Sequence, residues 1–118
     1  MSNSLNDSPN HPIIDRPHEY QIIRLDYHND IADWRLSFLD LTLQRETTIR
    51  RLRFLRPQRL VIEEGFPVST HGMQILDIRH RQWDGLSVEV INDEPISGAI
   101  TFCAAEVIDL DGDGFQPE

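Results

Sequence analysis

The sequence predicts an all-β or β-rich α+β fold, organised as a small antiparallel sandwich or barrel of about six to eight short strands. Several segments alternate apolar and polar residues, the pattern of strands with one buried face. Turn-forming residues separate these segments at spacings of roughly ten to fifteen residues. A chain of 118 residues has the usual size of one domain, so a single hydrophobic core is expected.

The alternation is clearest in residues 20–27, 86–91 and 100–108, and each of these segments is predicted to form a strand. Shorter apolar runs at 60–62 and 73–78 predict two more. No sequence repeat or linker divides them.

Residues 31–55 have two interpretations. As strands, Leu39, Leu41 and Leu43 alternate with polar residues, a polar turn follows at 45–47, and a return strand alternates Leu52 and Phe54 with arginines. The alternative is a helix, because apolar residues including Ile31, Trp34 and Phe38 also recur at a rough three-to-four spacing. The β-branched residues in this stretch favour the hairpin.

The composition of the ends predicts a division into three parts. Residues 1–17 contain three prolines among Ser, Asn and Asp, and predict a flexible N-terminal arm. Residues 18–108 are predicted to form the single β-rich domain, and residues 109–118 an acidic C-terminal tail.

The sequence favours a cytoplasmic protein. It contains no run of about 20 apolar residues, as a membrane-spanning helix requires, so no membrane association is expected. Its first residues lack the basic and apolar regions of a secretory signal. A single cysteine, Cys103, cannot form an internal disulfide, which favours a reducing compartment.

The charge is unevenly distributed. A net charge of -9 argues against nucleic-acid binding, because phosphate-binding surfaces are normally basic. All eleven basic residues are arginine, and six of them fall within residues 45–59. Arginine is favoured at protein interfaces, so this band predicts a protein partner or self-association.

Three arginines of the band, Arg51, Arg53 and Arg56, are candidates for binding a partner or an anion. In a strand over 50–54, the first two point to the same face and together could hold a carboxylate or a phosphate. The alternative is that they pair with carboxylates of the protein itself. The candidate carboxylates are Asp40, Glu63 and Glu64.

Residues 77–84 concentrate a second set of functional side chains. Arg79, Arg81 and Trp83 could anchor an interface, since Arg and Trp dominate binding energy at such sites. The alternative is a hydrolase-like site at Asp77 and His80. Its nucleophile would be Ser69, Thr70 or Ser87, but none of these lies in a nucleophile motif.

The C-terminal Asp109, Asp111 and Asp113 are spaced like the first ligands of an EF-hand calcium loop. The glutamate of loop position twelve is not present in the sequence, so calcium binding is not expected. The histidines lack metal-ligand spacing and the glycines form no phosphate-binding motif, so no cofactor is expected either.

The sequence therefore favours a small cytoplasmic protein-binding or regulatory module without catalytic activity. The alternative is a small hydrolase-like enzyme or ligand carrier with a cleft near Asp77, His80 and Arg81.

Overall fold

The computed structural model describes residues 9–66, 72–92 and 98–111, which form two four-stranded antiparallel sheets. The strands are β1 (Gln21–His28), β2 (Phe38–Arg45), β3 (Thr48–Leu55), β4 (Gln58–Ile62), β5 (Met73–Asp77), β6 (Val88–Asn92), β7 (Ile100–Ala104) and β8 (Glu106–Asp109). One sheet has the order β1-β2-β3-β8 and the other β4-β7-β6-β5. The predicted all-β sandwich is confirmed, and the described strands do not close into a barrel.

The segment with two interpretations forms the β2–β3 hairpin. Leu39, Leu41 and Leu43 are fully buried, and they face Phe54, Leu52 and Arg50 in register on the return strand. The helical alternative is wrong for this segment, apart from the single 3-10 turn Trp34–Leu36 before β2. Burial of three alternating leucines outweighs the helical spacing because only a strand puts all three on one face.

The hydrophobic core lies between the two sheets. The leucines of β2 pack there with Phe54 and Phe102, whose rings meet edge to face with their centroids 4.8 Å apart. A second, smaller cluster covers the outer face of the β4-β7-β6-β5 sheet. Its buried members are Leu76, Ile78, Leu86 and Cys103, with Trp83 and Ile91 packed against them.

The chain passes from one sheet to the other at two connections that lie at the same corner. β3 leads into β4, and β7 leads into β8, so the strand predicted over 100–108 is in fact two strands in different sheets. The break falls at Ala105, whose N–H donates to Leu55 O at 2.7 Å. Its carbonyl oxygen accepts from Ser87 Oγ at 2.5 Å. These bonds use the backbone polar groups that the sheets leave unpaired at the corner.

Residues at the start of the described chain extend the β5 edge. His11 N donates to Ile75 O at 2.8 Å, and Asp77 N donates to Pro9 O at 2.9 Å. Ile14 is only 4% exposed and belongs to the core. Packed structure therefore includes residues that the sequence assigns to the N-terminal arm.

Parts of the predicted arm and tail, residues 1–8 and 112–118, lie outside the described residues, and Asp113, Ser69 and Thr70 lie outside them too. Of the predicted tail, Asp109 is the last residue of β8. Within the described ranges, no helix has the length and apolar character that a membrane crossing requires.

Candidate functional site

Arg51 and Arg53 lie on the outer face of β3, opposite the buried Leu52 and Phe54, and each is bound to a carboxylate. Arg53 forms a two-pronged pair with Asp40, with Nε–Oδ1 and Nη2–Oδ2 distances of 2.9 and 3.0 Å. This is one of the alternative partners that the sequence suggested. The guanidinium carbon of Arg53 also lies 4.0 Å from the centre of the Phe38 ring.

Arg51 pairs with a residue near the C-terminus. Its Nη2 lies 2.9 Å from Asp111 Oδ1, and its backbone N donates to Oδ2 at 2.6 Å. The hydrogen bond from Arg51 is the main reason that the pKa of the Asp111 carboxyl lies below its ordinary value. Both arginines are therefore engaged by carboxylates of the same chain.

The same contacts involve two of the three proposed calcium ligands. Asp109 is paired with Arg50, and Asp111 with Arg51. Among the described residues, no group of three His, Cys, Asp or Glu side chains is arranged to hold a metal. Asp113, the third proposed ligand, is not among them.

Two arginines differ from the rest. Nine of the eleven form salt bridges with carboxylates of the described residues. The two that have no carboxylate partner there are Arg56 and Arg59, which flank the β3-to-β4 corner. Arg56 Nη2 reaches only a carbonyl oxygen, that of Gly85, at 3.5 Å.

Both arginines have a left-handed backbone, with φ of 52° at Arg56 and 59° at Arg59. Arg56 turns the chain between the sheets, and Arg59 lies where the pairing of β4 with β7 shifts register. Side chains with a Cβ rarely adopt this conformation, which costs roughly 1–2 kcal/mol per residue. Glycine or asparagine would form the same corner with less strain.

Two residues of the second predicted set, Arg81 and Trp83, lie next to Arg59, whereas the third, Arg79, is paired with Asp77. The guanidinium carbons of Arg59 and Arg81 lie 4.9 and 4.8 Å from the centre of the Trp83 indole ring. Arg81 is held in place by Glu89, with an Nη1–Oε1 distance of 2.8 Å. Beneath the indole is the buried cluster that contains Cys103. We call Arg56, Arg59, Arg81 and Trp83 the crossover surface.

Gly85 leaves room for the Arg56 guanidinium within the crossover surface. It has a φ of +72°, and a Cβ at this position would stand 3.3 Å from Arg56 Nη2. A larger residue would therefore displace the guanidinium as well as strain the backbone.

At the alternative hydrolase-like site, Asp77 is paired with the neighbouring Arg79. Both carboxylate oxygens of Asp77 accept from Arg79, at 3.1 Å from Nε and 2.6 Å from Nη2. This pairing lowers the pKa of Asp77 to about 2. His80 is exposed on the 3-10 helix that follows, Arg79–Arg81.

A cavity of about 640 Å³ lies at another place, between the N-terminal segment and the start of β5. Its lining includes His11, Arg16 and His18, but not Asp77, His80 or Arg81. Burial lowers the pKa of His11, so the neutral imidazole is favoured there.

The loop before β2 exposes three large apolar side chains. Ile31 is 95% exposed, Trp34 55% and Leu36 61%. The helical alternative for residues 31–55 predicts that Ile31 and Trp34 lie on a buried face, and their exposure contradicts it. The signal against that helix is the run of local capping residues, Asp30 and Asp33, which favour turns.

No family model matches the chain, and neither a curated protein nor a solved structure is significantly similar to it.

Proposed function

We propose that this chain is a cytoplasmic, non-catalytic protein-binding or regulatory module that engages a carboxylate-bearing partner through the crossover surface. The observation that carries the proposal is the position of Arg56 and Arg59, the two arginines without a carboxylate partner in the described part of the chain. In a protein of net charge -9, internal carboxylates are plentiful. A carboxylate supplied by a partner would complete the pairing that the other nine arginines already have.

The composition of the surface supports the same conclusion. Arginine and tryptophan are the residues most enriched at the energetic centres of protein interfaces. Trp83 is half-buried against the small cluster, and two guanidinium groups lie over its ring, so its position is fixed before binding. A fixed side chain loses less conformational entropy when a partner docks.

Backbone strain at the two arginines also supports a functional role. Left-handed residues other than glycine cluster at binding and catalytic sites, where strain is retained for function. Arg56 and Arg59 are both strained in this way, and a less strained residue is available at each position. Arginine at both positions therefore costs backbone stability, which a role in binding would explain.

The proposal is tested by selecting short random peptides, displayed on phage, on the immobilised intact chain. Peptides rich in Asp and Glu are expected, and their affinity is measured by fluorescence anisotropy of labelled copies. Arg56→Asn and Arg59→Asn together should weaken binding by about tenfold or more, as the loss of an interface hot spot does. Asparagine tolerates the left-handed backbone, so the melting temperature should stay equal or rise.

Arg24→Asn provides the matched control, because Arg24 is an exposed arginine that is paired with Asp26 on β1. Its removal should leave peptide affinity unchanged. The proposal fails if the Arg56 and Arg59 variant binds the selected peptides as tightly as the wild-type chain does.

A further inference from the structure

An apolar loop adjoins the crossover surface at Arg56. We define it as residues 29–37, with Ile31, Trp34 and Leu36 displayed to solvent. Among the large apolar side chains that the described residues expose, these three have the highest exposed fractions. Exposing such side chains is unfavourable, and a group of them in one loop marks a candidate interaction site.

Hydrogen bonds hold this loop in one shape. Asp30 Oδ1 accepts from the backbone N–H groups of Ala32 and Asp33, at 3.0 and 2.9 Å. Asp30 N donates to Ser37 Oγ at 2.9 Å, which closes the loop at its base. The polar groups are thus used inside the loop while its apolar side chains face outward, an arrangement that lowers the entropy cost of binding.

Arg56 joins the loop to the crossover surface. Its backbone N donates to Ser37 O at 2.9 Å, and its guanidinium reaches Gly85 O at 3.5 Å. Leu36 is therefore the residue before Ser37, which contacts Arg56 directly. The loop's own cation, Arg35, is already paired with Asp33. The loop and the crossover surface therefore meet at Arg56, through its backbone on the loop side and its guanidinium on the Gly85 side.

We infer that this surface binds an amphipathic acidic segment of a partner protein, in which large apolar side chains and carboxylates stand close together. The inference rests on the proposed function and adds the apolar half of the recognition. The apolar side chains would pack on Ile31, Trp34 and Leu36, and the carboxylates would pair with Arg56 and Arg59.

Charge decides between this partner and two other occupants. Anionic membrane surfaces are repelled by a chain of net charge -9, whose apolar loop is itself negative because it carries Asp30 and Asp33 against Arg35 alone. A second copy of the chain carries the same -9, so long-range repulsion opposes self-association. A short acidic segment adds only local charge, and it would place that charge at the two arginines.

The test uses the peptides selected on the intact wild-type chain. The sequenced pool should be enriched in Leu, Ile, Phe or Trp next to Asp or Glu. Trp34→Ser should weaken anisotropy binding by about tenfold or more, as for a hot-spot tryptophan. Ile49→Ser, which removes an exposed apolar side chain on β3, is the matched control and should leave affinity unchanged. Circular dichroism checks that both variants are folded.

The outcomes separate this inference from the proposed function. If Trp34→Ser binds as the wild-type chain does while the Arg56 and Arg59 variant loses binding, the apolar half is overturned and the proposed function stands. If the Arg56 and Arg59 variant retains binding, or if no acidic peptide is selected, both fail. Binding of phosphatidylcholine vesicles, or dimerisation in sedimentation, that is lost in Trp34→Ser would assign the loop to a membrane or a second copy and overturn the inference.

Discussion

The arginines of this protein differ in whether a carboxylate of the described residues pairs with them. Arg53 lies in a regular strand and is held by Asp40 and the Phe38 ring. Arg56 and Arg59 lie in a left-handed backbone and have no carboxylate partner within the described ranges. A paired arginine on a sheet face contributes about 0–1 kcal/mol to stability, so the pair between Arg53 and Asp40 is a minor source of stability.

The Asp77 and Arg79 pair makes stability depend on pH. Because the pKa of Asp77 is lowered from 3.8 to about 2, its carboxylate stabilises the fold above pH 3.8, and that contribution is lost as the pH falls through about 2. Arg79 is largely exposed, which limits the contribution to about 1 kcal/mol. Asp77→Asn should therefore lower the free energy of unfolding by about that amount at neutral pH, measured by urea denaturation.

The difference between Asp77→Asn and the wild-type chain should shrink toward zero as the pH is lowered from about 4 to 2. Asp84→Asn, which removes an exposed carboxyl seven residues away, is the control and should have little effect at any pH. A difference that stays constant over this range would show that Asp77 acts through something other than its charge.

The residues of the site were only partly predictable from the sequence. Arg56, Arg81 and Trp83 could be named because arginine and tryptophan dominate interfaces. The sequence could not show that Arg51 pairs with Asp111, because that contact joins residues 60 positions apart. Nor could it separate the arginines with internal partners from Arg59, since pairing depends on strand register.

At the scale of elements, the β2–β3 hairpin has a turn that its sequence does not favour. Glu46, the first of two turn residues, has a φ of 56°, a conformation that asparagine adopts more readily than glutamate. Glu46→Asn should raise the free energy of unfolding by about 0.5 kcal/mol, measured by urea denaturation. The hydrogen bond from Gln44 Nε2 to Glu46 O uses only the backbone of residue 46 and is retained.

Two controls separate backbone strain from other effects in this turn. Glu46→Gln removes the same charge without relieving the strain, so it should not stabilise the protein. Thr47→Asn places asparagine at the next position, which lacks a positive φ, and should bring no gain. If Glu46→Gln stabilises as much as Glu46→Asn does, charge and not backbone conformation explains the effect.

The sequence predicted elements well where one alternating run matches one strand. Leu39, Leu41 and Leu43 form such a run, and they gave the correct strand. The alternation over residues 100–108 failed at Ala105, where the chain changes sheets. The core residues are even-numbered before this point (Ile100, Phe102 and Ala104) and odd-numbered after it (Val107). This change marks the break between the two strands, but a β-bulge within one strand would produce the same change.

At the scale of the whole molecule, pairing of nine arginines leaves a large acidic surplus over the rest of the surface. The crossover surface is then a local cationic region within a negative field. Such a field slows approach of acidic partners at long range, so binding to the crossover surface depends on short-range contacts. In the proposed complex, we therefore expect the adjoining apolar loop to contribute to the affinity.

The packing of the N-terminal segment tests how far the folded unit extends. Ile14 belongs to the core although the sequence predicts an arm there, so Ile14→Ala should lower the free energy of unfolding by about 2–4 kcal/mol. Ile13→Ala is the matched control, because Ile13 is only partly buried and should cost clearly less. Urea denaturation of both variants measures the difference. Equal, small losses would mean that these residues behave as a loosely attached arm, whereas a large loss confined to Ile14 would make the segment part of the cooperative fold.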